Sequence, residues 1–152
     1  DYTVKGFFGT KTASVDAGAD ARDIAAAFNL VSSTTGVKAT AISKAILAVS
    51  AAATFTFTLQ GKSSTSSTVT ATLTSTTDLT ALKDAINSVS GSTGVVATLT
   101  SDKAGINITN DEGYDIYIGD VTTGATTAGV TKTAWWGAAG KVGRPSGRRQ
   151  KV

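Results

Sequence analysis

The sequence predicts an α+β protein made of two hairpin-helix-strand repeat units, with mostly antiparallel sheets and one short helix in each unit. Ser and Thr supply 42 of 152 residues, concentrated at 63–80 and 121–133, which favours short strands and polar connections. Asp20–Thr40 recurs as Asp78–Thr98 at an offset of 58, with 10 of 21 positions identical. Alternating strand-like runs flank both copies without the long crossovers a parallel sheet requires.

Each element follows from local pattern. Tyr2–Phe8 and Thr10–Val15 read as a first hairpin. Ala21, Ile24, Phe28 and Val31 then share one helical face at i, i+3, i+7 and i+10, predicting an amphipathic helix of about three turns. Asp20 stands where a short acceptor side chain can take up free amides of the first turn. Gly36 stops the helix and reverses the chain, because glycine tolerates positive φ. Val37, Ala39 and Ala41 alternate with polar residues and predict a strand.

The second copy repeats the order. Phe55, Phe57 and Leu59 alternate with Thr54, Thr56 and Thr58, and a turn over 61–67 leads into Thr68–Thr74. Leu79, Leu82, Ile86 and Val89 form the helical face behind Asp78, Gly94 ends it, and Val95, Ala97 and Leu99 predict the strand. Ile106 and Ile108, then Tyr114, Ile116 and Ile118, predict one more hairpin turning at 110–113. The organisation expected is a first unit over 1–52, a second over 53–120, and a Ser/Thr/Gly-rich linker with a basic tail over 121–152. A lone helix on three or four strands buries little area, so the units are expected to pack together.

Composition excludes much chemistry. With no His and no Cys, a Ser-His-Asp triad, a Cys-His pair, the usual zinc ligands and a disulfide framework are all absent. No apolar run approaches the roughly 20 residues of a spanning helix, so the chain reads as soluble, with no membrane partner. The absence of Met, including at position 1, predicts a fragment or a processed chain. The net charge of +3 comes from Lys141, Arg144, Arg148, Arg149 and Lys151; the first 140 residues hold 9 basic and 11 acidic side chains, about −2. The basic balance therefore describes a tail and argues against a nucleic-acid partner for the domain.

The repeated cores, AAAFNLVSSTTGVKAT at 25–40 and LKDAINSVSGSTGVVAT at 82–98, resemble the IN motif of bacterial flagellins and of related hook-associated and filament-cap proteins. Ile86-Asn87 and Thr93-Gly94-Val95-Val96-Ala97 match it closely, while the first copy has Phe28 before Asn29. The resemblance covers roughly 1–120 and implies the central variable region of a flagellin, an outer domain displayed on the extracellular filament surface. It implies a structural protein and no enzyme, with other flagellin subunits as partners, host or surface contacts besides, and no cofactor. A filament-cap or hook-associated domain, or a carbohydrate- or surface-binding adhesin module, is the alternative; Phe7, Phe8, Trp135 and Trp136 would be the adhesin's stacking residues.

Each polar cluster admits a sharper reading and a plainer one. Asn29 and Asn87 are expected to bond backbone at the helix end or glycine turn in preference to a ligand. Asp111, Glu112, Asp115 and Asp120 offer oxygen ligands for calcium but lack EF-hand spacing, so no metal site is assigned. Gly61-Lys62-Ser63 has Thr56 where a phosphate loop needs glycine, so no nucleotide site is assigned either. Among Asp78, Asp84, Asp102 and Asp115 no pair is marked out for glycoside chemistry, and no catalytic residue is assigned. Trp135-Trp136 and the cations behind them read as a vector remnant in preference to a base-stacking surface or natural linker.

Overall fold

The computed structural model describes residues 1–124 and the backbone of 130–134; the readings placed on Trp135, Trp136 and the basic tail lie outside them. The order is β1 (Tyr2–Gly6), β2 (Gly9–Ala13), α1 (Ala21–Leu30), α2 (Ser32–Thr35), β3 (Ser43–Val49), β4 (Thr54–Gln60) and β5 (Ser67–Thr72). It continues with α3 (Thr80–Ser88), α4 (Ser90–Thr93), β6 (Val96–Leu99), β7 (Ile106–Asn110), β8 (Tyr117–Thr123) and β9 (Val130–Ala134). The class is α+β. Every strand pairing among the described residues is antiparallel.

Three sheets form: the hairpin β1-β2, the four-stranded β6-β7-β3-β9 and the three-stranded β5-β4-β8. In β4 the alternation is literal, with Phe55, Phe57 and Leu59 buried and the threonines between them outward. Those outward threonines meet their neighbours across the strands, Thr54 with Thr72 at 2.9 Å and Thr56 with Thr70 at 3.1 Å. One hydrophobic cluster takes Phe55, Phe57 and Val69 from the smaller sheet, Leu47, Ile106 and Ile108 from the larger, and Leu82 and Ile86 from α3. α3 packs on β5 and β6, an edge strand of each sheet, and so closes the core between them.

Five features depart from the sequence reading. The helices end short of the glycines expected to stop them: α1 stops at Val31 and α3 at Val89, both with ψ near zero, and a separate single turn follows before the glycine. Val37–Ala41 is not a strand. In the second copy six residues separate β6 from β7 and let the chain fold back, whereas Ser43 begins β3 immediately after Ile42 and leaves no slack for such a return. β3 itself was not anticipated, because its apolar run AILAV carries no period that separates strand from helix.

The hairpin expected at 110–113 turns the chain but pairs nothing, since β7 already has β6 and β3 on its two edges and β8 joins β4 in the other sheet. Finally, regular structure continues past Asp120: β8 runs to Thr123, and β9 pairs with β3. Through β3, the first half of the chain donates a central strand to the sheet of the second.

Candidate functional site: the paired asparagine turns

The residues shared by the two copies converge on one local geometry, made twice. Where α1 breaks, the Ser32 hydroxyl donates to the Asn29 carbonyl at 2.7 Å and the Thr35 hydroxyl to the Val31 carbonyl at 2.9 Å. Where α3 breaks, Ser90 donates to Asn87 at 2.7 Å and Thr93 to Val89 at 2.9 Å. Hydroxyls one turn on thus bond back to the carbonyls at each break, where the Val31 and Val89 carbonyls also accept the amides of Thr35 and Thr93. Gly36 (φ 76°) and Gly94 (φ 67°) then take the left-handed conformation, and their amides donate to Ser32 and Ser90, each at 2.7 Å. The same threonine oxygens accept from Val37 and Val95, both at 3.2 Å, and aim the outgoing chain.

The asparagines finish the turn. Asn29 donates its Nδ2 to the Ala39 carbonyl and accepts the Ala39 amide on Oδ1, both at 2.9 Å. Asn87 does the same with Ala97, at 2.9 and 2.8 Å. A carboxamide carries one carbonyl and one NH2 on a planar frame, as a peptide group does, so each side chain acts as a one-residue neighbouring strand. In the second copy this matters most: β6 pairs with β7 on one edge, and Asn87 closes the other. The partner is a residue beyond the glycine turn, in the outgoing segment, not the helix end itself.

The hairpin in front of each helix docks on the same turn. The Thr35 carbonyl accepts the Phe8 amide at 3.4 Å, and the Thr93 carbonyl accepts the Lys62 amide at 2.7 Å. A Cβ on Gly6 or Gly61 would lie 1.9 or 2.3 Å from those carbonyl oxygens, so only glycine lets the backbones approach. Gly61-Lys62 therefore serves a close chain crossing. Lys62 pairs with Glu112 at 2.8 Å, and that hydrogen bond holds its ammonium above the usual lysine range.

Asp20, Asp78, Asp84, Asp102 and Asp120 have ordinary partners. Asp20 caps α1, accepting the Asp23 amide at 2.8 Å. Asp78 lies one residue further out than predicted, since Leu79 is the cap of α3, and accepts both the amide and the hydroxyl of Thr80. Those two bonds, the hydroxyl first, lower its pKa. Asp84 pairs with Lys83, and Asp102 accepts from the Thr100 hydroxyl and the Ala104 amide, which hold its carboxyl below the usual range. Asp120 accepts from Thr58. Among the described residues no group of three or more acidic side chains is placed to hold a cation, and no helix is long and apolar enough to cross a membrane.

One residue escaped the sequence reading. Asn110, wholly buried at the end of β7, donates to the Gly94 carbonyl at 3.1 Å and accepts the amides of Glu112 and Tyr114 at 3.0 and 3.2 Å. It ties the 110–114 turn to the second glycine turn. The available signal was the Asn-Asp-Glu-Gly run, which marks a turn without revealing what its first side chain reaches across to.

Two equivalent turns, each made by Asn, Ser, Thr and Gly bonding to backbone, define a structural module duplicated in one chain. The chain belongs to the flagellin hook IN motif family, whose family model matches it twice, over residues 3–53 and 54–112. Membership brings a flagellin-related structural role, with assembly alongside other flagellin subunits in the flagellar filament. Comparison with curated proteins finds no match.

Proposed function

We propose that this chain is an outer domain of a flagellin, displayed on the extracellular surface of the filament, with two hairpin-helix-strand units over about 1–52 and 53–120. It performs no catalysis and holds no cofactor or metal. The observation that carries this reading is where the motif's polar groups go: Asn29, Ser32, Thr35, Asn87, Ser90 and Thr93 all bond to backbone of their own copy. Groups consumed in this way fix a chain reversal and are not available to turn over a substrate. Outward threonines on β4 and β5 give the domain a neutral, soluble exterior.

A filament-cap or hook-associated domain is the rival within the same family, and an adhesin module lies outside it. Phe7 is 96% exposed and Phe8 72%, which keeps a surface-contact role in play for the hairpin tip. Phe8 also has a local task, because its ring lies over Gly36. Gold-labelled antibodies raised against this chain separate these readings on intact cells. A flagellin domain is decorated along the whole filament, a cap domain only at the distal tip, and a hook-associated domain only at the filament base. Labelling of the cell body with bare filaments would favour the adhesin.

A further inference from the structure

The two copies of the motif fold alike locally but are buried very differently. Leu82 and Ile86 of the second copy are completely buried, whereas their counterparts Ile24 and Phe28 are only half-buried; Leu79 is matched by the small, buried Ala21, and Leu30 is 84% exposed. No residue before Ala45 belongs to the main hydrophobic cluster. The substantial packing of β1, β2, α1 and α2 is all with one another. Their buried apolar residues are few and mostly small: Val4, Ala13, Ala21 and Ala25.

Besides the chain at 42–43, a small contact at the start of α1 joins this lobe to the rest. The Arg22 amide, in the first turn, donates to the Gly113 carbonyl at 3.3 Å, and the Arg22 guanidinium lies 4.5 Å from the centre of the Tyr114 ring. Gly113 (φ 78°) sits so close to Ala41 that a Cβ on it would lie 2.3 Å from the Ala41 Cβ. Asn110 sets the 110–114 turn that presents both groups.

We propose that residues 1–42 form a lobe that opens and closes as one cooperative unit while 43–123 stays folded, with the contact of Arg22 on Gly113 and Tyr114 as its latch. Opening parts that latch and the contact with Ala41, and leaves β3 held between β7 and β9. The α1 face, only half-buried at Ile24, Phe28 and Val31, supplies less burial to oppose it than the α3 face would. Locally opening units of this kind exchange amide hydrogens without global unfolding.

Native-state hydrogen exchange on the full chain, followed at low denaturant, tests this directly. The amides of Ala25–Phe28 in α1 are expected to share one protection level, about 100-fold or more below that of Leu82–Ile86 in α3, and a smaller denaturant dependence. Arg22→Ala should speed exchange in the lobe about threefold, from loss of the ring contact, and leave α3 unchanged. Gly113→Ala should speed it about tenfold or more, since both the φ and the Ala41 contact oppose a side chain. Equal protection and equal denaturant dependence in α1 and α3 would overturn the proposal, as would an Arg22→Ala effect of the same size in both.

Discussion

At the residue scale the economy of the motif rests on asparagine. Removing Asn87 strips partners from both the amide and the carbonyl of Ala97, itself 2% exposed, on the one edge of β6 that no strand covers. Buried groups left without partners cost about 1–3 kcal/mol, so Asn87→Ala should destabilise by about 2–3 kcal/mol in denaturant melts. Asn87→Asp should recover little, because a carboxylate can accept the Ala97 amide but faces the Ala97 carbonyl with no proton to donate. Asn29 makes the same bonds in an exposed setting where water can substitute, and Asn29→Ala should cost about 1 kcal/mol or less. A second residue-scale expectation concerns Gly94, whose φ is 67° and whose Cβ position lies 3.1 Å from Asn110 Nδ2 and 3.2 Å from Lys62 Cβ. Gly94→Val should cost about 1–3 kcal/mol through the backbone, and Gly94→Asn less. A melt in which Val and Asn behave alike would place the cost in crowding instead.

At the scale of elements the two helices have the same sequence pattern and unequal work. Ile86→Ala empties a fully buried site between two sheets and should cost about 2–5 kcal/mol. Phe28, expected from the repeat to be equally buried, is only half-buried and meets Tyr2 edge-on at 5.8 Å, so Phe28→Ala should cost less, about 1–2 kcal/mol. Parallel urea melts of the two variants read that ratio directly. The entry to α3 also carries a pH dependence. Asp78 binds the Thr80 hydroxyl and amide as a carboxylate, and its lowered pKa means the stabilisation is present above the ordinary carboxylate pKa and is lost as pH falls through the folded value. Asp102 adds to the same window. Thermal melts at descending acid pH should therefore show a decline that Asp78→Asn partly removes.

How far these elements could be read from sequence depends on whether their cause was local. The two turns were legible because Asn, Ser, Thr and Gly act within about ten residues, and the duplication displayed the spacing twice. The breaks at Val31 and Val89 were not, since the apolar faces end there and the Ser/Thr run that follows carries no spacing that separates a continued helix from a new turn. Strand partners were least legible. Nothing in Ser43–Val49 announces that it will lie between β7 and β9, and nothing in Ile106–Asn110 announces that its edges will already be taken when the chain turns at Gly113. Asn110 escaped for the same reason: its partner at Gly94 is 16 residues away.

At the scale of the whole molecule the chain is a duplication in which one copy, joined by β3, makes the core and the other stands beside it. The half-buried helix face of the first copy and the fully buried Leu79, Leu82 and Ile86 of the second came from one pattern, and the difference is the layer of strands over α3 that α1 lacks. The proposed outer-domain role requires that the filament assemble without this domain. Deleting residues 1–123 from the full-length flagellar subunit and imaging the cells by electron microscopy tests that claim most directly. If this is a surface domain, the truncated subunits still polymerise into continuous filaments, narrower than the parent. Loss of filaments, with the truncated subunit still folded and exported, would contradict the account and move this domain into the assembly contact itself.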